Sequence, residues 1–579
     1  MITLKLRTRR VVAVTVIACL ALLLVPALAA AATWIPPVDL AATSELNPWE
    51  PGPEIAMSGA GGGVAIWTQF KGVRNVEAAS MSLAGIWGPP VKWPSAYFQS
   101  EPEVAMNEAG EAVAVWEQAS QSQETVTASV RTPPGEWGPP ETLSPDGAFY
   151  TNLDVAVGPA GEAVAVWSDV PTYRSIGGYR IEGSFKPAGG HWEPSVTIST
   201  LSEPGINRDS YSPQVAIAPT GQIVAAWNSY DGDDGRWTIQ VAEKQGSHWS
   251  APQTVSGERD TSSPKLEAST AGATVIWQSE ENEKKRIEAA NRAGGEWTEP
   301  VELSGPESFG PQIGADGVGA VVAIWSSFHG QEGADVESSA LPVGGHWSEP
   351  TSISGPVALD EYSGARLAVA PNGQTLAAWS VGRELEPQVG ERFVEEASGL
   401  EGEWEEPRTL SRVGSGADRA AVALDGQGDG AVAWWAGGRS RPQATEFVMP
   451  QSDATSGGEP GPSNSRASRS KRRRATVRRI ALVRKGEAYL ELRCPGVSTC
   501  KGRLGLVASP TAKSSKATRI LARSVDFAIP AGDEKTFAVR LNGKGRHLVS
   551  AAGEKGVRVR LVGDQIQRRG LLLRRATGQ

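Results

Sequence analysis

"PEVAMNEAGEAVAVW", residues 102–116, is an apolar run, a turn closed by Gly110, and a second apolar run ending in Trp116. The phrase returns as "LDVAVGPAGEAVAVW" (153–167), "PQVAIAPTGQIVAAW" (213–227) and "ARLAVAPNGQTLAAW" (365–379). Self-similarity at a steady spacing marks a repeat architecture and outranks any local motif. The closing indole falls at Trp67, Trp116, Trp167, Trp227, Trp277, Trp325, Trp379 and Trp434. A second phrase, near G-x-W-x-x-P-x-x-[LI]-S, alternates with it at Trp87, Trp137, Trp192, Trp249, Trp297, Trp347 and Trp404, with a first copy at Trp34. Each phrase therefore occurs eight times, at a period of about 48–60 residues.

Each unit predicts four short strands. The two runs around the glycine turn make a hairpin, a third strand follows the hairpin Trp, as in "NVEAASMSL" (75–83), and the segment after W-x-x-P makes the fourth. Runs such as "AVAVW" are apolar at every position, so both of their faces are covered. No helix-period segment exists to cover them, which leaves sheets packed on sheets, as in the blades of a propeller. The fold class expected is all-β, an eight-bladed β-propeller over 33–450 followed by a small immunoglobulin-like β-sandwich. Seven blades is the alternative, because "PQIGADGVGAVVAIW" (311–325) has an unusual turn. Isolated strands at both ends, around Trp34 and in "ATEFVMP" (444–450), suggest that the N-terminal strand completes the last blade.

Sixteen of the twenty Trp occupy the two repeat positions. A residue used once per unit in every unit is most simply a packing wedge between neighbouring blades, where an indole buries a large area. Trp49, Trp93, Trp237 and Trp435 stand outside the pattern and are free for ligand contact. His191, His248 and His346 each precede a W-x-x-P indole, where other copies carry Glu136, Glu296, Glu403 or Ile86. A column that accepts His, Glu and Ile does no shared acid–base chemistry. There is no HExxH, phosphate loop or metal-spaced His/Cys cluster.

No cofactor is expected: Asp231, Asp233 and Asp234 crowd a glycine turn in "DGDDG" and are the calcium candidates, but the loop lacks a downstream bidentate Glu at the expected spacing. The surrounding "SYDGDDGRW" resembles a stretched Asp-box of sialidase-like propellers, with a different spacing and no counterpart in the other units. Insertions at 168–190, 202–212 and 228–237 break the repeat and bring Tyr173, Arg174, Arg208, Asp209 and the Asp231 loop, so an active site is sought there first.

Residues 1–32 read as a signal peptide, with Lys5, Arg7, Arg9 and Arg10 before an apolar core and small-residue cleavage sites near Ala31. An uncleaved anchor, a twin-arginine signal around "TRRVV" (8–12) and a lipid-modified Cys19 are the alternatives there. Residues 33–470 hold 26 basic and 58 acidic residues, whereas 471–579 hold 26 basic and 7 acidic ones. An acidic body thus precedes a basic tail. Residues 451–475 carry no large apolar side chain to bury and read as a Gly/Ser/Pro and basic linker containing Lys471–Arg474. In 476–579, alternating strands and the pair Cys494 and Cys500 suggest a sandwich with one local disulfide. The whole resembles secreted multi-domain proteins of high-GC Gram-positive bacteria, in which Trp-bearing propeller repeats precede a Cys-stapled β-sandwich. That resemblance implies a secreted or cell-surface setting and no activity.

The function expected is a non-catalytic, monomeric binding or scaffold protein that engages an extracellular protein or glycan. Its basic tail contacts anionic cell-wall polymer or the acidic body itself. No nucleic-acid partner and no membrane span after signal cleavage are expected. The alternative is a propeller-type glycoside hydrolase or lyase. The non-catalytic expectation includes the lack of a pocket with converging carboxylates or arginines.

Overall fold

The computed structural model describes residues 33–41 and 51–448, apart from 84, 94–96, 121–123, 134–135, 146–148, 171–177, 202–207, 233–234, 331–333, 356–363, 383–391 and 438–439, together with the strands beyond 475. The expected signal peptide, Trp49, the linker and Cys494 lie outside the described residues. Two compact units are present, the larger including Pro90–Thr455 and the smaller including Ser456–Gln579.

The larger unit is an eight-bladed propeller of antiparallel sheets. Blade 4 is representative, with strands Ser210–Ile217, Ile223–Asp231 and Arg236–Gln245 and an outer edge of His248–Trp249 and Gln253–Thr254. Blades 1, 2, 3, 5, 6, 7 and 8 open with Glu54–Met57, Gln99–Met106, Phe149–Val157, Asp260–Ser269, Ser308–Ala315, Arg366–Val369 and Asp418–Leu424; each first strand touches the next, and that of blade 8 touches that of blade 1, closing the ring. The seven-blade alternative fails at the segment that suggested it. In blade 6, Asp316 Oδ1 accepts the N–H groups of Val318, Gly319 and Ala320 at 3.0, 2.7 and 2.8 Å, and Gly319 takes φ +98°, so the odd turn closes a regular hairpin.

Closure of the ring joins the two ends of the repeat region. Thr33–Trp34 and Val38–Asp39 pair with the third strand of blade 8, Arg441–Val448, with Trp34 opposite Phe447 and Val38 opposite Ala444. Without them that strand would present an unpaired edge.

The second-strand indoles explain the uninterrupted apolar runs. All eight are at most 1% exposed. Trp227 of blade 4 packs into one cluster with Val164, Val166 and Ile181 of blade 3, and Trp249 lies half-buried against the same seam. The pattern repeats with Trp167 and Trp192 between blades 2 and 3, and with Trp325 and Trp347 between blades 5 and 6. Two indoles expected to be free are not. Trp93 is 6% exposed and sits 4.9 Å from the Trp116 ring and edge-on to Trp137 at 5.2 Å. Trp435 is fully buried and donates its indole N–H to Pro51 O at 2.7 Å.

In the smaller unit, seven strands between Thr476 and Arg575 join edge to edge along one hydrogen-bonded path, with Ile480–Arg484 and Gly570–Arg575 parallel, and Glu534–Arg540 pairs with Glu487–Arg493 off that path. This pairing does not by itself establish the immunoglobulin-like sandwich expected for the tail.

Candidate functional site

Alternation of strand direction gives each blade two different ends. The lead-in to the first strand and the hairpin between the second and third lie at one end, and the glycine turns lie at the other. All three sequence insertions belong to the first end, in blades 3 and 4. Tyr179, Tyr211, Tyr230 and Trp237 gather there, each half-buried. Ring centroids are 4.3 Å apart for Tyr179–Tyr211, 5.7 Å for Tyr211–Trp237 and 5.3 Å for Tyr230–Trp237, all tilted.

Backbone hydrogen bonds hold this aromatic rim in place. Asp209 accepts the Tyr179 N–H at 2.7 Å through Oδ1, and its carbonyl accepts the Tyr230 N–H at 2.7 Å. Trp237 N–H donates to Asp260 Oδ1 at 2.9 Å. Burial raises the Tyr211 phenol, and the Asp209 carboxylate beside it adds to the effect, so it remains protonated. Asp231, one of the three calcium candidates, lies 3.6 Å from Arg208. Asp233, Asp234, Tyr173 and Arg174 fall outside the described residues. Among the described residues, no group of three or more His, Cys, Asp or Glu is placed to hold a metal ion. His191, His248 and His346 are exposed and belong to neither the rim nor the cavity described next.

A cavity of about 480 Å³ opens beside the rim, and Ser212, which follows Tyr211, is part of its wall. Its origin is a device repeated in the first strands. The ladder slips between Ser100 and Glu103, Thr151 and Asp154, Tyr211 and Gln214, and Ser262 and Lys265. A bulge of this kind re-aims the side chains around it. One residue in each slip takes a positive φ, namely Glu101 (48°), Asn152 (53°), Ser212 (52°) and Ser263 (54°), with Arg419 (53°) in blade 8. All five line the cavity. Left-handed backbone at non-glycine residues is uncommon, and its recurrence around one cavity is a structural signature.

The wall is polarised. Blades 1 and 2 contribute Glu54, Glu101 and Glu103, whereas blades 5, 7 and 8 contribute Lys265, Arg366 and Arg419. Asp154 of blade 3 stands close behind, its Oδ2 accepting the Val215 N–H at 2.7 Å. Glu54 and Arg366 pair at 3.5 Å, past blade 8, which carries small Ala420 and Ala421 there. Burial pushes the Glu103 carboxyl well above its usual range, and Glu54 and Asp154 push the same way against Lys265 and Arg366. Asp154 rises to about 6, chiefly by burial. Lys265 is lowered by burial and by Arg366, with Asp154 and Glu103 opposing.

This corrects the expectation that no pocket would gather carboxylates and arginines. Inner strands build the cavity, and among the described residues of the three insertions only Ser212 enters its wall. The signal lay in the repeat itself, at the position ending "PGPE", "SEPE", "TNLD", "YSPQ", "SSPK", "FGPQ", "SGAR" and "DRAA", residues 51–54 to 418–421. That position reads Glu54, Glu103, Asp154, Gln214, Lys265, Gln312, Arg366 and Ala421, changing in charge around the ring while its neighbours keep the strand pattern.

No protein-family model matches the chain, and no curated protein matches it in sequence. Among solved structures, the chain is similar to the WD40 domain of SCAP from fission yeast, at 9% identity over 72% of this chain and 98% of that one, TM-score 0.40. It is similar to the NanB sialidase from Streptococcus pneumoniae at 8% identity over 71% and 97%, TM-score 0.33. A third is an α-L-arabinofuranosidase from Fusarium graminearum, at 12% identity over 52% and 93%, TM-score 0.33. The likeness is one of fold.

Proposed function

We propose that this is a secreted, non-catalytic binding protein that presents the rim of blades 3 and 4 to a glycan. The observation that carries this reading is the set of four half-exposed rings, Tyr179, Tyr211, Tyr230 and Trp237, tied to rigid strand ends. Tyr and Trp combine a large apolar face with a polar edge, which suits the alternating C–H and O–H surfaces of a sugar. Export by the leader at 1–32, a Cys494–Cys500 bridge and contact of the basic tail with an anionic wall polymer belong to the same proposal. A glycan array probed with the full chain and with Trp237→Ala tests it. Selective glycan binding by the parent, reduced at least tenfold in the variant, supports the reading, and a parent that binds no glycan overturns it.

A second reading, a glycoside hydrolase or lyase, is favoured by Asp154 and the raised Glu103 beside the cationic wall. Mass spectrometry of array-positive glycans after incubation separates the two. Release of shorter or unsaturated products, abolished in Glu103→Gln, would establish the enzyme.

A further inference from the structure

The charged groups of the axial cavity are not equally satisfied. Glu54 pairs with Arg366 at 3.5 Å, and Glu101 Oε2 accepts the Asn152 N–H at 2.9 Å. Arg419 donates its backbone N–H to Ser380 Oγ at 3.1 Å and makes further contacts. Glu103 and Lys265 differ. Both line the cavity, and although each feels the other's charge, neither side chain makes a hydrogen bond or close ion pair with another described residue. They occupy the same bulge position, three blades apart in a ring of eight, and carry opposite charge.

We propose that the axial cavity binds a small zwitterion, an ω-amino acid or short peptide whose ammonium group meets Glu103 and whose carboxylate meets Lys265. A charge surrounded by protein is costly until it is paired and hydrogen-bonded. A simple anion would satisfy Lys265 and leave Glu103 unmatched, and a simple cation would do the reverse. A zwitterion satisfies both without adding net charge. The displaced acidities of the two groups fit this picture. Burial drives each toward its neutral form, and a bound partner of opposite sign favours the charged form. The carboxylates here are not arranged as a chelate, since no metal-holding group occurs among the described residues. The volume, about 480 Å³, falls within the ~300–1,000 Å³ of small-molecule pockets. This site is independent of the aromatic rim and of any glycan bound there.

Isothermal titration of the full chain with glycine, 4-aminobutanoate, 6-aminohexanoate and triglycine, against butylamine and butanoate, tests the proposal. At least one zwitterion is expected to bind tenfold or more tightly than either single-charge control. Glu103→Gln and Lys265→Met are each expected to weaken it at least tenfold while melting at or above the parent's midpoint. Saturation-transfer NMR on the parent, which needs no variant, is expected to show contacts at both ends of the bound zwitterion. Absence of zwitterion binding, equal binding of a single-charge control, or undiminished binding by both folded variants overturns the proposal.

Discussion

Trp34 donates its indole N–H to Glu396 Oε1 at 2.8 Å, across 362 residues of sequence. The Trp34 backbone completes blade 8, its ring lies 5.0 Å from Phe447, and its N–H reaches back to blade 7. One residue therefore latches the ring to two blades. Glu396→Ala would leave a half-buried indole N–H without this acceptor and is expected to cost about 1 kcal/mol. Deleting residues 33–40 should be worse, because it also bares the edge of the last blade. Urea unfolding and light scattering check both, and a deletion variant as stable and monodisperse as the parent would refute the latch.

Burial raises the carboxyls of Glu117, Glu267 and Glu396 from 4.5 to about 7. The folded state therefore holds more protons than the unfolded one between those values, and stability falls as pH rises through about 7. The melting midpoint is expected to be higher at pH 5 than at pH 8. Glu396→Gln, which keeps a carbonyl for Trp34, should stabilise the chain at pH 8 and change little at pH 5. Calorimetry across this range reads both effects, and a midpoint rising from pH 5 to pH 8 contradicts the account.

The two indole columns differ in burial, so they should differ in cost. Trp227→Ala removes a fully buried ring from the seam between blades 3 and 4 and is expected to cost about 3–5 kcal/mol. Trp249, half-buried over the same seam, should cost clearly less when truncated. His346→Ala, at an exposed position, should stay within about 0.5 kcal/mol of the parent. Denaturant midpoints rank the three, and a His346 variant as damaged as the Trp227 variant would mean that the imidazole has a role beyond its place in the repeat.

Ser263 holds φ at +54° at the bulge of blade 5. Ser263→Gly should be neutral or stabilising, whereas Ser263→Val is expected to cost about 1–2 kcal/mol, since a β-branched side chain resists left-handed backbone. Paired thermal melts test this, and equal stability of the two variants would argue against the bulge geometry.

The propeller was legible because its code is local and repeated. "AVAVW" beside a glycine turn specifies a hairpin covered on both faces, and eight copies specify eight blades. Trp93 and Trp435 lie off the repeat columns, where a sequence pattern carries no information about burial. Trp93 is nonetheless buried by Trp116 and Trp137, and Trp435 by a loop 384 residues away. The rim was half-visible. Its insertions stood out, but Tyr179, Tyr211 and Trp237 meet only because two blades bring their same ends together.

By itself, the sequence determined the repeat, the strand character of each segment and the ring that follows from sheets able to pack only on sheets. The tertiary structure alone decided what the ring encloses. Glu103 and Lys265 occupy one column of the repeat, three units apart, and no local rule relates them. They come to share a cavity because bulges at positive φ shape its wall and because closure bends a linear series of units into a circle. Electrostatics acts through space, so the charge order of that column acquires meaning only once the chain has closed on itself.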